Sequence, residues 1–228
     1  MHIAVFDLDG TITRRDTLFP YVLGVCLRHP VRLLRMVAKM PAALLRYAFQ
    51  GRDRGRLKEA LIVATLEGLT RAELGQRAAG LVKRLADSGL HEEALACIAE
   101  HRRRGDYLVL MSASPDIYVP VIARALGFAE TICTGVRWDG MTLRGELVTE
   151  NRRGEEKVRC LQGLRQRYPK HKFAAYGNSA SDVPHLKLCE GGHLVNGDDD
   201  AIREAARANV SIGWPHPQIA PGRRPQKT

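Results

Sequence analysis

The sequence predicts an α/β fold, a parallel sheet with helices on both faces that carries an all-helical insertion after its first strand. Three observations predict it. Short apolar runs recur at 2–7 (HIAVFD), 107–112 (YLVLMS), 172–177 (KFAAYG) and 193–196 (HLVN), each of strand length and apolar enough for burial on both faces. Helical stretches at 91–104, 154–167 and around 200–208 alternate with them, the rhythm of βα units. From Thr17 to Ser88 only helical patterns occur.

The first run ends at Asp7, and right-handed crossovers place the later strand ends along the same sheet edge. Asp9 follows two residues on, with Gly10 permitting a sharp turn. The second run ends LMSAS, placing Ser112 at a strand terminus. Ser114-Pro115-Asp116 then predicts a helix start, with Ser114 as cap and proline at the first position. Residues 131–148, TICTGVRWDGMTLRGELV, carry the Asp-Gly turn and β-forming flanks of a hairpin. The expected organisation is a core of 1–16 and 89–214, a helical cap of 17–88, and a Pro-rich basic tail of 215–228 expected to be disordered.

Bulk composition narrows the function. Thirty-five Lys and Arg against 25 Asp and Glu give a net charge of +10, which favours anionic partners without choosing among them. A non-catalytic basic binding module is the rival to an enzyme. Nucleic acid is not expected, because aromatic residues are only 6% of the chain, too few for base-stacking platforms, and no nucleic-acid motif is present. Five dispersed cysteines without metal-ligand spacing read as reduced thiols of a cytoplasmic protein. The amino terminus lacks the basic start and long apolar stretch of a signal peptide. The most lipophilic region, 31–49, is interrupted by Arg32, Arg35, Lys39 and Arg46, so it is not read as a membrane span.

Four motifs carry chemistry. Asp7 and Asp9 at a strand end repel each other, and a bound cation is the natural compensation. A carboxylate is a competent nucleophile towards phosphorus, and a second carboxyl can protonate the leaving oxygen. Ser112 supplies a hydroxyl beside free backbone N–H groups, a phosphate-binding arrangement. GEEK (154–157) puts Lys157 in the first turn of a helix, where the dipole disfavours a cation and an anion would compensate. Asn178 and Asp182 bracket a Gly/Ser turn and supply oxygen ligands suited to Mg²⁺.

In this order, DLDGT (7–11), MSAS (111–114), GEEK (154–157) and GNSASD (177–182) resemble the haloacid dehalogenase superfamily of phosphatases, in the branch of phosphoserine phosphatase. The resemblance reaches to about Trp214. It implies a Rossmann-like core and Mg²⁺-dependent hydrolysis of a small phosphorylated metabolite through an aspartyl-phosphate. It makes Asp7 the nucleophile and a metal ligand. Asp9 becomes the general acid/base and a ligand through its backbone carbonyl. Ser112 and Lys157 would hold the transferring phosphoryl group, with Gly10, Thr11 and Ala113 beside it, and Asp182 would complete or support the metal site. The family usually has Asp where this chain has Asn178. Either Asn178 binds as a neutral ligand or Asp182 takes the direct role.

The insertion bears on the substrate. Read as a helix from Pro30, Arg32, Arg35 and Lys39 share a stripe, with Arg28 and Arg46 in phase if the helix runs on, and a kink is expected at Pro41, ahead of Arg46. The remaining positions form an apolar arc of about half the circumference, wider than the ~100° of an ordinary surface helix. Two accounts stand side by side. In one, the helix lies between cap and core and the substrate is a small soluble phosphate. In the other, the arc meets an anionic membrane surface, and the substrate is a lipid phosphate of the phosphatidylglycerophosphate type.

Overall fold

The computed structural model describes residues 2–49 and 51–215. Six strands form one parallel sheet: β1 (His2–Phe6), β2 (Tyr107–Pro115), β3 (Glu130–Thr134), β6 (Lys172–Gly177), β7 (Gly191–Leu194) and β8 (Ser211–Ile212), ordered β3-β2-β1-β6-β7-β8. The first strand therefore lies in the middle, and the chain builds outward from it in both directions. A doubly wound sheet opens a crevice beyond the carboxyl ends of its strands where the order reverses. Here that crevice lies between the ends of β1 and β6.

Period-two alternation explains how the sheet is buried. Ala4, Phe6, Leu108, Leu110 and Tyr176 enter one apolar cluster. Ile3, Val5, Val109, Met111, Phe173 and Ala175 enter another on the opposite face. The first is closed by α5 (Glu92–Arg103) and α6 (Val119–Ala125), through Ile98 and Ile122. The second is closed by α7 (Glu155–Arg167), α8 (Val183–Leu186) and α9 (Asp199–Arg207), through Leu161, Leu186 and Ala205.

After β1 come α1 (Leu18–Cys26), α2 (Pro30–Phe49), α3 (Arg54–Thr65) and α4 (Arg71–Arg84), then a π turn at Leu85–Gly89. Their ends are marked chemically. Asp53 caps α3 by accepting from the amides of Gly55 and Arg56, and Thr70 with Glu73 forms a capping box on α4. The antiparallel pair β4 (Val136–Asp139) and β5 (Thr142–Leu147) packs on α3, where Glu59 accepts from the Leu147 amide at 2.8 Å. Gly145 there has φ +94°, and an added Cβ would stand 3.1 Å from Ile62.

Four sequence expectations need correction or qualification. No helix starts at Ser114: β2 continues to Pro115, which pairs with Thr134, and α6 begins only at Val119. Only 136–147 form the expected hairpin, because 130–134 join the main sheet beside β2. Helix α2 runs through Pro41 as one element. The expected disordered tail at 215–228 lies, beyond its first residue, outside the described residues.

Candidate active site

The site begins where β1 stops. The Asp7 amide continues the strand pairing by donating to the Tyr176 carbonyl at 2.9 Å, and the amides of Ile12 and Thr13 then fold back onto the Leu8 carbonyl. Gly10 adopts φ +81° in this turn, and a Cβ added there would lie 2.1 Å from the Asn178 amide nitrogen. Both the backbone and the close approach of Asn178 thus require glycine.

Lys157, in the first turn of α7, is 2% exposed and donates to Asp7 Oδ1 and Asp182 Oδ1, each at 2.6 Å. Its neighbours come from the ends of β1 and β6, so one ammonium ties the two sides of the crevice together. The other oxygen of Asp182 accepts from the Asn178 amide (3.3 Å), the Ser179 amide (3.0 Å) and the Ser179 hydroxyl (2.7 Å). Asp182 Oδ1 holds Lys157 and its Oδ2 closes the turn. Asp7 Oδ2, in contrast, has a single partner among the described residues, the Thr11 hydroxyl at 3.1 Å.

Electrostatics follow from this asymmetry. Burial pushes the Asp7 carboxyl up to about 6 although Lys157 opposes it. Burial also works to raise Asp182, but Lys157, His185 and the Ser179 hydroxyl outweigh it and hold Asp182 well below the usual carboxylate range. Burial would lower Lys157, yet the two carboxylates keep it raised and therefore charged.

Asp9 is held by a different set. Its Oδ1 accepts from the Thr17 amide (2.7 Å) and hydroxyl (2.6 Å), and its Oδ2 from the Ser114 hydroxyl (2.6 Å). Burial and the nearby Asp16 raise its pKa against these three bonds. A raised carboxyl pKa suits a group that must carry a proton near neutrality.

The expected phosphate-binding residues divide. Gly10, Ala113 and Lys157 line a cleft of about 710 Å³ together with Asp7, Asp9, Asn178 and Asp182. Ser112 and Thr11 are fully buried behind its wall. The Ser112 oxygen accepts from the Ser114 amide at 3.0 Å, leaving its own proton to donate.

No cluster of three or more His, Cys, Asp or Glu suited to a metal occurs among the described residues. The donor set that remains is Asp7 Oδ2 and the Asn178 side-chain oxygen, to which the resemblance would add the Asp9 carbonyl. The Thr11 hydroxyl links the first two, standing 3.1 Å from Asp7 Oδ2 and 3.3 Å from Asn178 Oδ1. These are hard oxygen donors, and Asp7 is an under-compensated carboxylate, the chemistry that fits Mg²⁺.

Sequence reasoning missed the rest of the cleft. Thr17 and Ser114, which hold Asp9, were not expected there. Nor were Arg54 and Lys58 of α3, or Arg153, which stands four residues before Lys157 and borders the GEEK motif. Lys58 donates to the Ala113 carbonyl and to Asn151 Oδ1, and burial lowers its pKa to about 8 although Asp9 and Asp16 oppose this. Arg153 is lowered by burial and by neighbouring Arg54. Among the described residues neither guanidinium has a carboxylate within salt-bridge distance.

Comparison with known proteins agrees with this architecture. Residues 4–187 match the haloacid dehalogenase-like hydrolase family. The protein CicA of Caulobacter vibrioides is 33% identical over 191 residues, covering 82% of this chain and 83% of CicA. A Mycobacterium tuberculosis protein named a probable phosphatase is 27% identical over 226 residues, covering 93% of this chain and 73% of its own. A substrate-bound phosphoserine phosphatase structure superposes with a TM-score of 0.63 at 17% identity, covering 92% of each chain, which is a likeness of fold. The family match spans the strand ends and helix starts that carry Asp7, Asp9, Lys157 and Asp182, and the chain belongs to the haloacid dehalogenase-like hydrolase family.

Proposed function

We propose that this chain is a Mg²⁺-dependent phosphomonoester hydrolase in which Asp7 is the nucleophile and Asp9 the general acid/base. One observation carries the reading most directly. Lys157 spans Asp7 and Asp182 at 2.6 Å each, while Asp9 faces the same cleft with a raised pKa. A Mg²⁺ ion held by Asp7, Asn178 and the Asp9 carbonyl would neutralise phosphoryl charge.

The protein's own groups account for the remaining steps. Asp7 attacks phosphorus through a carboxylate oxygen as the bond to the leaving oxygen breaks, and Asp9 gives that oxygen its proton. Water then attacks the aspartyl-phosphate while Asp9 takes its proton back, releasing phosphate and free Asp7. Lys157 and Ser112 donate to the phosphoryl oxygens, with Gly10, Thr11 and Ala113 shaping the turn and strand end beside them. Asp182 orients Lys157 and closes the 178–182 turn.

Residues 17–88 are read as a cap over this core, since Tyr47, Arg54, Leu57, Lys58 and Leu61 line the cleft together with the strand-end residues. A cleft of this volume suits a small molecule, which supports a small phosphorylated metabolite as substrate, in the manner of the phosphoserine phosphatases that share the fold. The unpaired cations favour one carrying a further anionic group. A lipid phosphate is the second reading, favoured because α2 contributes Tyr47 to the cleft while its opposite face is apolar and exposed.

Acid quenching during turnover tests the mechanism. Wild-type protein is expected to retain covalent phosphate and Asp7→Asn to retain none, with an unchanged circular dichroism spectrum. Full activity in folded Asp7→Asn protein would remove the central assignment, and a panel of phosphate esters separates the two substrate readings.

A further inference from the structure

Helix α2 has two unlike faces. Leu33, Met36, Met40, Ala43 and Tyr47 are half-buried on the side towards α3 and the cleft. No residue of the helix is fully buried. On the opposite side Val31 (64% exposed), Leu34 (70%), Leu45 (60%) and Phe49 (84%) face solvent. With Ala38 between them, they fall within roughly 60° of one another at 100° per residue. An ordinary surface helix turns its apolar stripe inward and its polar residues outward. This one presents apolar side chains on both sides.

Charge is equally one-sided. The exposed Arg35, Lys39 and Arg46 form a row along one flank of the outward apolar face. No Asp or Glu occurs between Thr17 and Arg52. Arg32, which the sequence places in the same row, is diverted: its guanidinium donates to the carbonyls of Thr65 (2.9 Å) and Glu67 (2.8 Å) and ties α2 to the end of α3.

We propose that the outward face of α2 docks on an anionic lipid surface, lying in the interfacial plane with Leu34, Leu45 and Phe49 inserted and Arg35, Lys39 and Arg46 against the headgroups. An exposed apolar face flanked on one side by cations, on a segment without a single carboxylate, is complementary to that surface. A second copy of this chain is a poorer occupant, since it would bring another +10 molecule and another basic row to the same place. No helix among the described residues is long and apolar enough to cross a membrane, so the contact is peripheral. Tyr47 lies on the cleft side of the same helix, so docking holds the cleft close to the lipid surface. The inference stands apart from the phosphatase reading, because it concerns residues that do not line the cleft.

Flotation of the full chain with vesicles tests it. Wild-type protein is expected to float with phosphatidylcholine vesicles containing phosphatidylglycerol, to release at high salt, and to remain behind with pure phosphatidylcholine. Leu45→Ser with Phe49→Ser, and separately Arg35→Glu with Lys39→Glu, each lower the bound fraction by about tenfold or more. Both variants keep wild-type turnover of p-nitrophenyl phosphate in solution, which shows that they are folded. Three outcomes overturn the proposal: no flotation of wild type, binding unchanged in both variants, or light scattering that shows a dimer dissociated by Leu45→Ser with Phe49→Ser. A failure of turnover in wild type would instead count against the catalytic assignment.

Discussion

The Ser114 hydroxyl donates to Asp9 Oδ2 at 2.6 Å, across 105 residues of sequence. It is the one bond to that oxygen among the described residues, and it joins the proposed acid to the end of β2. The bond also holds the Asp9 pKa down against burial. Ser114→Ala is therefore expected to raise that pKa further and leave the carboxyl less well oriented. Turnover of alkyl phosphates should fall by about one to two orders of magnitude, within the ~10²–10⁴-fold that general acid catalysis supplies. Aryl phosphates, whose leaving oxygen needs less protonation, should lose less. Equal losses for both substrate types would mean that Ser114 does not act through Asp9.

Asn178 and Asp182 predict opposite kinds of variant. Asn178→Asp adds a charge beside Asp7 Oδ2 and should tighten Mg²⁺ binding by about tenfold, or about 1.4 kcal/mol. Asp182→Asn removes half of the compensation of a buried Lys157, a loss that typically costs ~3–5 kcal/mol in fold stability. Isothermal titration with Mg²⁺ and thermal melting distinguish the two. If Asp182→Asn weakened Mg²⁺ binding without lowering the melting temperature, Asp182 would be a direct ligand.

The parts of this site that could be read in the sequence are those set by short stretches of chain. Asp7, Asp9, Lys157, Asn178 and Asp182 each sit at a strand end or helix start that local pattern marks. The alternation of apolar runs and helical stretches likewise anticipated the parallel sheet. What sequence reading misplaced depends on distant pairing. Ser114-Pro115 has the local chemistry of a helix start, yet Pro115 pairs with Thr134 and the Asp116 amide donates to the Thr134 carbonyl, which carries the strand onward. The cations of the cleft were illegible for a similar reason. Arg54 and Lys58 look like ordinary helix-surface charges until the packing of α3 brings both into the cleft, with Lys58 on Ala113 and Asn151. Arg153 was the exception, since its place beside the GEEK motif was a usable signal.

His185 gives a pH prediction for stability. It is buried, its Nδ1 has no hydrogen-bond partner among the described residues, and burial with nearby Lys157 lowers its pKa from 6.5 to about 3. Between those values the unfolded chain binds a proton that the folded chain does not, so stability is full above pH 6.5 and is lost as pH falls towards 3. One such group contributes a slope of up to about 1.4 kcal/mol per pH unit. Over pH 6.5 to 5 this contribution opposes those of Asp7 and Asp116, whose raised carboxyls take up protons first in the folded chain and add stability as pH falls, so it is read as a difference between wild type and variant. Relative to wild type, the melting temperature of His185→Gln should fall less, or rise more, as pH drops over that window, whatever the absolute stability of the variant. An unchanged slope would show that another group governs it.

Lys58 gives the last prediction, on substrate choice. Its ammonium gives protons to Ala113 and Asn151 and has a third to offer the cleft. With Arg54 and Arg153 it gives the cleft a positive wall, and none of the three has a carboxylate within salt-bridge distance among the described residues. A substrate whose leaving group carries a further carboxylate or phosphate would fill that gap. Lys58→Met should therefore raise KM for such substrates by about tenfold or more, in line with ~1.5–3 kcal/mol for a hydrogen bond to a charged group, and raise it less for p-nitrophenyl phosphate. Because burial lowers Lys58 to about 8, its charge is present below that pH and lost above it. Wild-type kcat/KM for the doubly anionic substrates should then decline from pH 7 to 9 more steeply than for p-nitrophenyl phosphate. Lys58→Arg, which keeps its charge throughout, should remove the extra decline while preserving discrimination. If the two classes of substrate keep the same ratio of kcat/KM across that range in wild type and in Lys58→Met, the positive wall does not read the leaving group.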